Sequence, residues 1–168
     1  MKYKNICIII VISLCYVLNT SAQKRFFINE NSYPASQSFS LQNPETFSSK
    51  PEIDVMFVKK ADQYMLVLSK SAPMGQSRLK GDILLYLDDG SVIKCVDRGI
   101  NDYVNETSTS MYYLSDSGIE KLRNSNLHTL RYSTTGGDYT AVNKGKESLN
   151  IYVPFIKKAN VPKILGNF

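Results

Sequence analysis

The chain predicts a mainly β, α+β fold: an antiparallel β-sandwich or half-open barrel with one short covering helix near residues 116–124. Three observations carry this prediction. Apolar and β-branched runs of about six to eight residues recur between turn residues, as in Ile53–Lys60, Gln63–Lys70 and Asp82–Leu87. Only one stretch, after Ser115, has helical spacing. Nothing repeats at a fixed period, and the whole chain has 168 residues, the scale of one domain.

The first element is not part of that fold. Lys2 and Lys4 precede an apolar run from Ile6 to Leu18, and the small or polar residues Asn19, Thr20, Ser21 and Ala22 follow, the pattern of a secretory signal peptide. The run falls short of the ~20 apolar residues that span a bilayer. Thr20 and Ala22 occupy the small-residue positions of a cleavage site, so the mature chain is expected to begin at Gln23. A lipoprotein cleavage at Cys15 needs a small residue before the cysteine, and Leu14 stands there. The expected destination is the periplasm, the cell surface or the medium.

Residues 23–51 are rich in Ser, Asn, Gln and Pro, with Phe26, Phe27, Phe39 and Phe47 at no regular period, and read as a polar linker or N-terminal arm. Those aromatic residues also suit a strap against the domain, or an arm that orders on a partner. Residues 52–168 read as a single β-rich domain.

Within it, Ala61 and Asp62 separate the first two strands as a tight hairpin. Asp82–Leu87 is nearly continuously apolar, which predicts a strand buried on both faces. Asp88, Asp89 and Gly90 then make a turn, because glycine accepts the positive φ that hairpins need. Ser91–Val96 returns with Ile93 and Cys95 on one side and Val92, Lys94 and Val96 on the other. Thr107–Leu114 is a further strand. Ser115 caps the helix, Asp116 suits its first turn, Ile119 and Leu122 form its apolar stripe, and the pattern breaks at Asn124. Leu127–Thr134, a turn at Gly136 and Gly137, Asp138–Asn143 and Ser148–Val153 complete about seven strands.

Chemistry is sparse. Loss of the signal removes Cys7 and Cys15, so Cys95 is alone, no internal disulfide forms, and a buried place on a strand is expected for it. The single histidine, His128, falls by alternation on the face of Leu130 and Tyr132, a structural position. Cys95 and His128 are too few for zinc, and neither has the local setting of a nucleophile and its base. Asp88, Asp89 and Asp97 are the candidates for calcium, and Asp54, Asp82, Asp88, Asp89, Asp102 and Glu106 the candidates for a hydrolytic carboxylate pair, but turns and surfaces account for such residues. Gly136 and Gly137 lack the setting of a phosphate loop. No catalytic residue, cofactor or metal is assigned. Asn105-Glu106-Thr107 matches a glycosylation acceptor of relevance in a eukaryotic host.

After signal removal the chain has eighteen basic and fifteen acidic residues, a net charge of +3. That mild excess, with export, argues against nucleic acid as a partner. Tyrosine is the compositional hint: nine of eleven lie beyond the signal, and tyrosine joins apolar area to a polar tip. Tyr103, Tyr112, Tyr113 and Tyr139 are the candidate binding surface. Adjacent Tyr112 and Tyr113 face opposite sides of a strand, so a one-sided sheet buries at most one.

The Ser21-Ala22-Gln23 junction resembles signal cleavage sites of Bacteroidota. The succession Asp89-Gly90-Ser91, Tyr112-Tyr113-Leu114-Ser115, Gly118-Ile119-Glu120-Lys121-Leu122 and Leu127-His128-Thr129-Leu130-Arg131-Tyr132 resembles small exported β-rich domains of those bacteria, over about half the chain. The resemblance implies export and fold and assigns no functional residue. Three functions remain open: a non-enzymatic module binding a protein or glycan of the cell envelope, an architectural subunit assembling by strand addition, and a small carboxylate hydrolase.

Overall fold

The computed structural model describes residues 24–28, 30–44 and 52–144. They form eleven strands and one α-helix: β1 (Lys24–Ile28), β2 (Asn31–Ala35), β3 (Phe39–Leu41), β4 (Ile53–Lys60), β5 (Gln63–Ser71), β6 (Leu79–Leu87), β7 (Val92–Cys95), β8 (Asn101–Val104), β9 (Thr107–Tyr113), α1 (Asp116–Asn124), β10 (Leu127–Thr134) and β11 (Gly137–Val142). The larger sheet runs β1-β2-β4-β5-β9-β8, with β3 also paired to β4, and the smaller runs β11-β10-β6-β7; all pairings are antiparallel. This is the predicted β-rich α+β class, built as a curled half-barrel sheet facing a second sheet. No helix among the described residues is long and apolar enough to cross a membrane.

Alternation explains how one sheet serves two cores. Phe57, Leu66, Leu68 and Tyr112 face the smaller sheet and pack with its Ile83, Leu85, Leu87 and Leu130. Their sequence neighbours Val58, Met65, Val67 and Met111 point the other way, into a second cluster with Ala35. Phe26, Ile28 and Tyr33 of the β1–β2 hairpin, with Met56, Ile100 and Tyr113, pack against that cluster. The segment expected to be a polar arm is therefore built into the larger sheet, and gives it three strands. Their shortness hid them: three to five residues among Ser, Asn and Pro leave little period to detect. Strand β8 was hidden likewise, since Asn101 and Asp102 are poor strand formers.

The two sheets are stitched where Gln42 and Val142 exchange backbone hydrogen bonds of 2.9 and 2.7 Å. Helix α1 starts as its sequence predicts, with the Ser115 hydroxyl accepting from the Gly118 N–H at 3.1 Å, and buries Ile119 and Leu122. It lies against β7: a Cβ on Gly118 would stand 3.1 Å from the Ile93 side chain, and the Lys121 ammonium donates to the Val92 carbonyl at 3.0 Å. That contact covers part of an exposed sheet edge.

Two local expectations are corrected. β6 is buried on one face only: Ile83, Leu85 and Leu87 are inside, whereas Leu84 and Tyr86 are half-exposed on the outer face of the smaller sheet. His128 does not share the face of Leu130 and Tyr132. A register shift between Leu127 and Thr129 inserts one residue opposite β6, so Leu127 takes the core position and His128 turns to solvent. The expected strand Ser148–Val153 lies outside the described residues, as does the signal segment.

Candidate binding surface

The four candidate tyrosines stand at four separate places. Tyr112 is 1% exposed and belongs to the main core, where its hydroxyl donates to the Gly81 carbonyl at 3.3 Å and burial pushes its pKa up to about 12. It contributes no surface, because alternation on β9 gives the inward place to Tyr112 and the outward one to Tyr113. Tyr103 fastens a loop: its hydroxyl donates to the Ala72 carbonyl at 2.9 Å and accepts from the Gly75 N–H at 2.7 Å, with the Arg78 guanidinium 4.1 Å from its ring centre. Tyr139 stacks on Tyr132 at 5.7 Å. Only Tyr113 belongs to an extended half-exposed apolar surface.

That surface is the outer face of the larger sheet. Its floor is Val58, Met65, Val67 and Met111, and its half-exposed layer is Phe26, Ile28, Tyr33, Met56, Ile100 and Tyr113. Two cations sit on its aromatic rings, Lys60 at 5.8 Å from the Tyr33 centre and Arg98 at 4.8 Å from that of Tyr113. Such seating holds a charge beside apolar surface at a gain of ~0.5–1 kcal/mol. Methionine adds an adaptable floor. Phe26 and Ile28, two positions apart on β1, were the one periodic signal for this face in the sequence, and Tyr33 on β2 had none.

A polar centre lies at the seam of the sheets. The Lys70 ammonium is 2.6 Å from Glu52 Oε1, which also accepts from the Tyr132 hydroxyl at 2.7 Å. Lys70 lies 5.9 and 5.6 Å from the ring centres of Tyr132 and Tyr139. Burial by itself would raise the Glu52 pKa, and the bonds from Lys70 and Tyr132 outweigh it, so the carboxyl stays below its ordinary value. Burial, then the adjacent Glu52, pushes the Tyr132 hydroxyl well up. Lys70 and Tyr132 both turn their donors to Glu52 Oε1, as in a structural tie.

Of the remaining candidates for chemistry, Cys95, Asp82 and Asp97 lie near one another. Cys95 is 1% exposed, and burial, with Asp82 adding, pushes its thiol up to about 12, away from a nucleophilic thiolate. His128 faces solvent, its Nδ1 2.7 Å from the Thr129 hydroxyl. Asp89 Oδ1 accepts from the Ser91 N–H at 2.9 Å, shaping the β6–β7 turn. Asp97 accepts from Gly81 and Gly99, both at 2.7 Å, the former at a positive-φ glycine within β6. Among the described residues no three metal-ligating side chains gather. The Lys94 side chain, with the Asp97 N–H, holds Asp82 low, and Ser91 holds Asp89 low. With Glu52, these carboxylates are displaced downward.

Comparison with models of known protein families, with curated proteins and with solved structures finds no match. The class of the molecule rests on its fold: a β-rich α+β protein in which one curled sheet has a core on each side.

Proposed function

We propose that this is an exported, non-enzymatic module that binds a protein partner on the outer face of its larger sheet. The observation that carries the reading is the half-exposed layer of Phe26, Ile28, Tyr33, Met56, Ile100 and Tyr113, with Lys60 and Arg98 seated on its tyrosines. Aromatic side chains, methionine and arginine are the types enriched where proteins meet. The face lacks tryptophan, as the whole chain does, and its aliphatic content favours a protein over a glycan. Export is supported by the signal pattern of residues 1–22 and by the resemblance to exported Bacteroidota domains. A fold that hides its one described cysteine also suits an oxidising compartment.

The test is capture of partners by the tagged chain from the envelope and medium of its host, followed by affinity measurement with Phe26→Ser and Tyr113→Ser variants. A partner in near-equal amount whose affinity falls about thirtyfold in a folded variant, the loss of about 2 kcal/mol at a central aromatic contact, is the expected result. A partner retained in full by both variants, or none at all, refutes the reading. A glycan in place of the protein would keep the surface and change its ligand.

Assembly by strand addition has its own support. β1 ends the larger sheet with β2 as its one neighbour among the described strands, and Phe27 on it is 68% exposed. Light-scattering mass against concentration tests this: a constant monomer mass excludes self-assembly through β1.

A further inference from the structure

The turn between β4 and β5 and the outer side of α1 enclose a cleft of about 470 Å³, within the ~300–1,000 Å³ range of small-ligand sites. It shares no residue with the outer face of the larger sheet. Among its described lining residues the apolar surfaces are the Tyr64 ring from β5 and the buried Ile119 from α1. Charges of both signs line it, and they are unequally occupied. Lys59 is seated on the Tyr64 ring, 5.7 Å from its centre, and Arg123 is ion-paired with Glu120 one turn earlier on the helix. Asp62, on the turn, and Asp116, in the first turn of α1, have no ion pair or side-chain hydrogen bond among the described residues.

The cleft therefore presents two carboxylates with unused acceptor capacity from two different elements, next to an aromatic ring and an aliphatic side chain, while both cations among its described lining residues are engaged. A ligand that completes this arrangement carries a positive charge for Asp62 and Asp116 and an apolar stem to lie along Tyr64 and Ile119. A bare divalent ion meets only half of that, since the ring and Ile119 offer it no oxygen. We propose that the cleft is a receptor site for a primary ammonium group on an apolar stem. The lysine side chain of a partner chain and a free alkyl diamine share that chemistry.

Titration calorimetry on the purified chain decides it, with three probes: 1,5-diaminopentane, a short peptide with one central lysine, and the same peptide acetylated on that lysine's Nζ. Saturable binding of an unacetylated probe is expected, weakened at least fivefold by acetylation, which removes the charge. Asp62→Asn, an exposed turn position whose change spares the core, is expected to weaken binding about tenfold, the loss of one charge-assisted contact of 1.4 kcal/mol. Asp116→Asn is expected to do the same, and its thermal midpoint separates any loss at the helix start, where a carboxylate is favourable. Tighter binding of the peptide than of the diamine assigns the site to a partner's lysine, and the reverse order to a free amine. Absence of saturable binding of both up to about 5 mM, where exposed pairing alone would already fail, or equal binding by the Asp62→Asn/Asp116→Asn double variant, overturns the proposal. Partner capture through Phe26 and Tyr113 is untouched by either result.

Discussion

Replacing Glu52 by glutamine removes one charge from the seam while keeping its shape. The wild-type carboxylate accepts two charge-assisted bonds, from Lys70 at 2.6 Å and from Tyr132 at 2.7 Å. The side chains of Lys70 and Glu52 are 13% and 19% exposed, so water screens them only in part. Charge-assisted bonds contribute about 1.5–3 kcal/mol each and neutral ones about 1. A glutamine amide oxygen still accepts one neutral bond, and Lys70 keeps the Glu52 backbone carbonyl at 3.3 Å and its two rings. The net cost of Glu52→Gln is then about 2 kcal/mol at neutral pH, a fall of roughly 8 °C in midpoint for a fold of this size. The pH dependence has a definite sign. The folded-state pKa of Glu52 lies below its ordinary value of 4.5, so the stabilisation is complete above that value and is lost as pH falls through the folded one. Urea unfolding of wild type and Glu52→Gln from pH 7 to pH 3 should show two curves that converge toward acid. Adding Lys70→Met to Glu52→Gln should recover part of the loss, because the ammonium left without its carboxylate is removed as well. Equal stability at pH 7, or a gap that persists undiminished at pH 3, would refute the account of the seam.

Two further outcomes test other parts of the fold. Cys95, buried and with its thiol pushed up to about 12, should not react with a thiol reagent at pH 8 in the folded protein, and should react fully in denaturant; fast native labelling would place the thiol elsewhere. Ser115→Ala deletes the hydroxyl that accepts from the Gly118 N–H and should cost about 1 kcal/mol in chemical unfolding, with the fold unchanged by circular dichroism; no loss would mean that tertiary packing alone holds the helix start.

Local chemistry made much of this molecule legible without coordinates. The β4–β5 hairpin at Ala61 and Asp62, the turn at Asp88, Asp89 and Gly90, the span and capping of α1, and the bounds of β10 all follow from residues within a few positions of one another. So does the division of Tyr112 and Tyr113 between the inside and outside of β9, since a strand sends successive side chains to opposite faces. The β-rich class is the sum of such local preferences.

What tertiary structure decided is where distance along the chain vanishes. Phe26, Ile28 and Tyr33 look like scattered residues of a polar segment until β2 pairs with β4 and their hairpin meets Met65 and Met111. Glu52, Lys70 and Tyr132 form one centre across 80 positions of sequence. His128 was misplaced because a single inserted residue inverts alternation, and only pairing with β6 shows the insertion. A sequence records what each residue prefers beside its neighbours. Which faces stay exposed is settled by long-range pairing, because burial depends on what arrives from elsewhere in the chain.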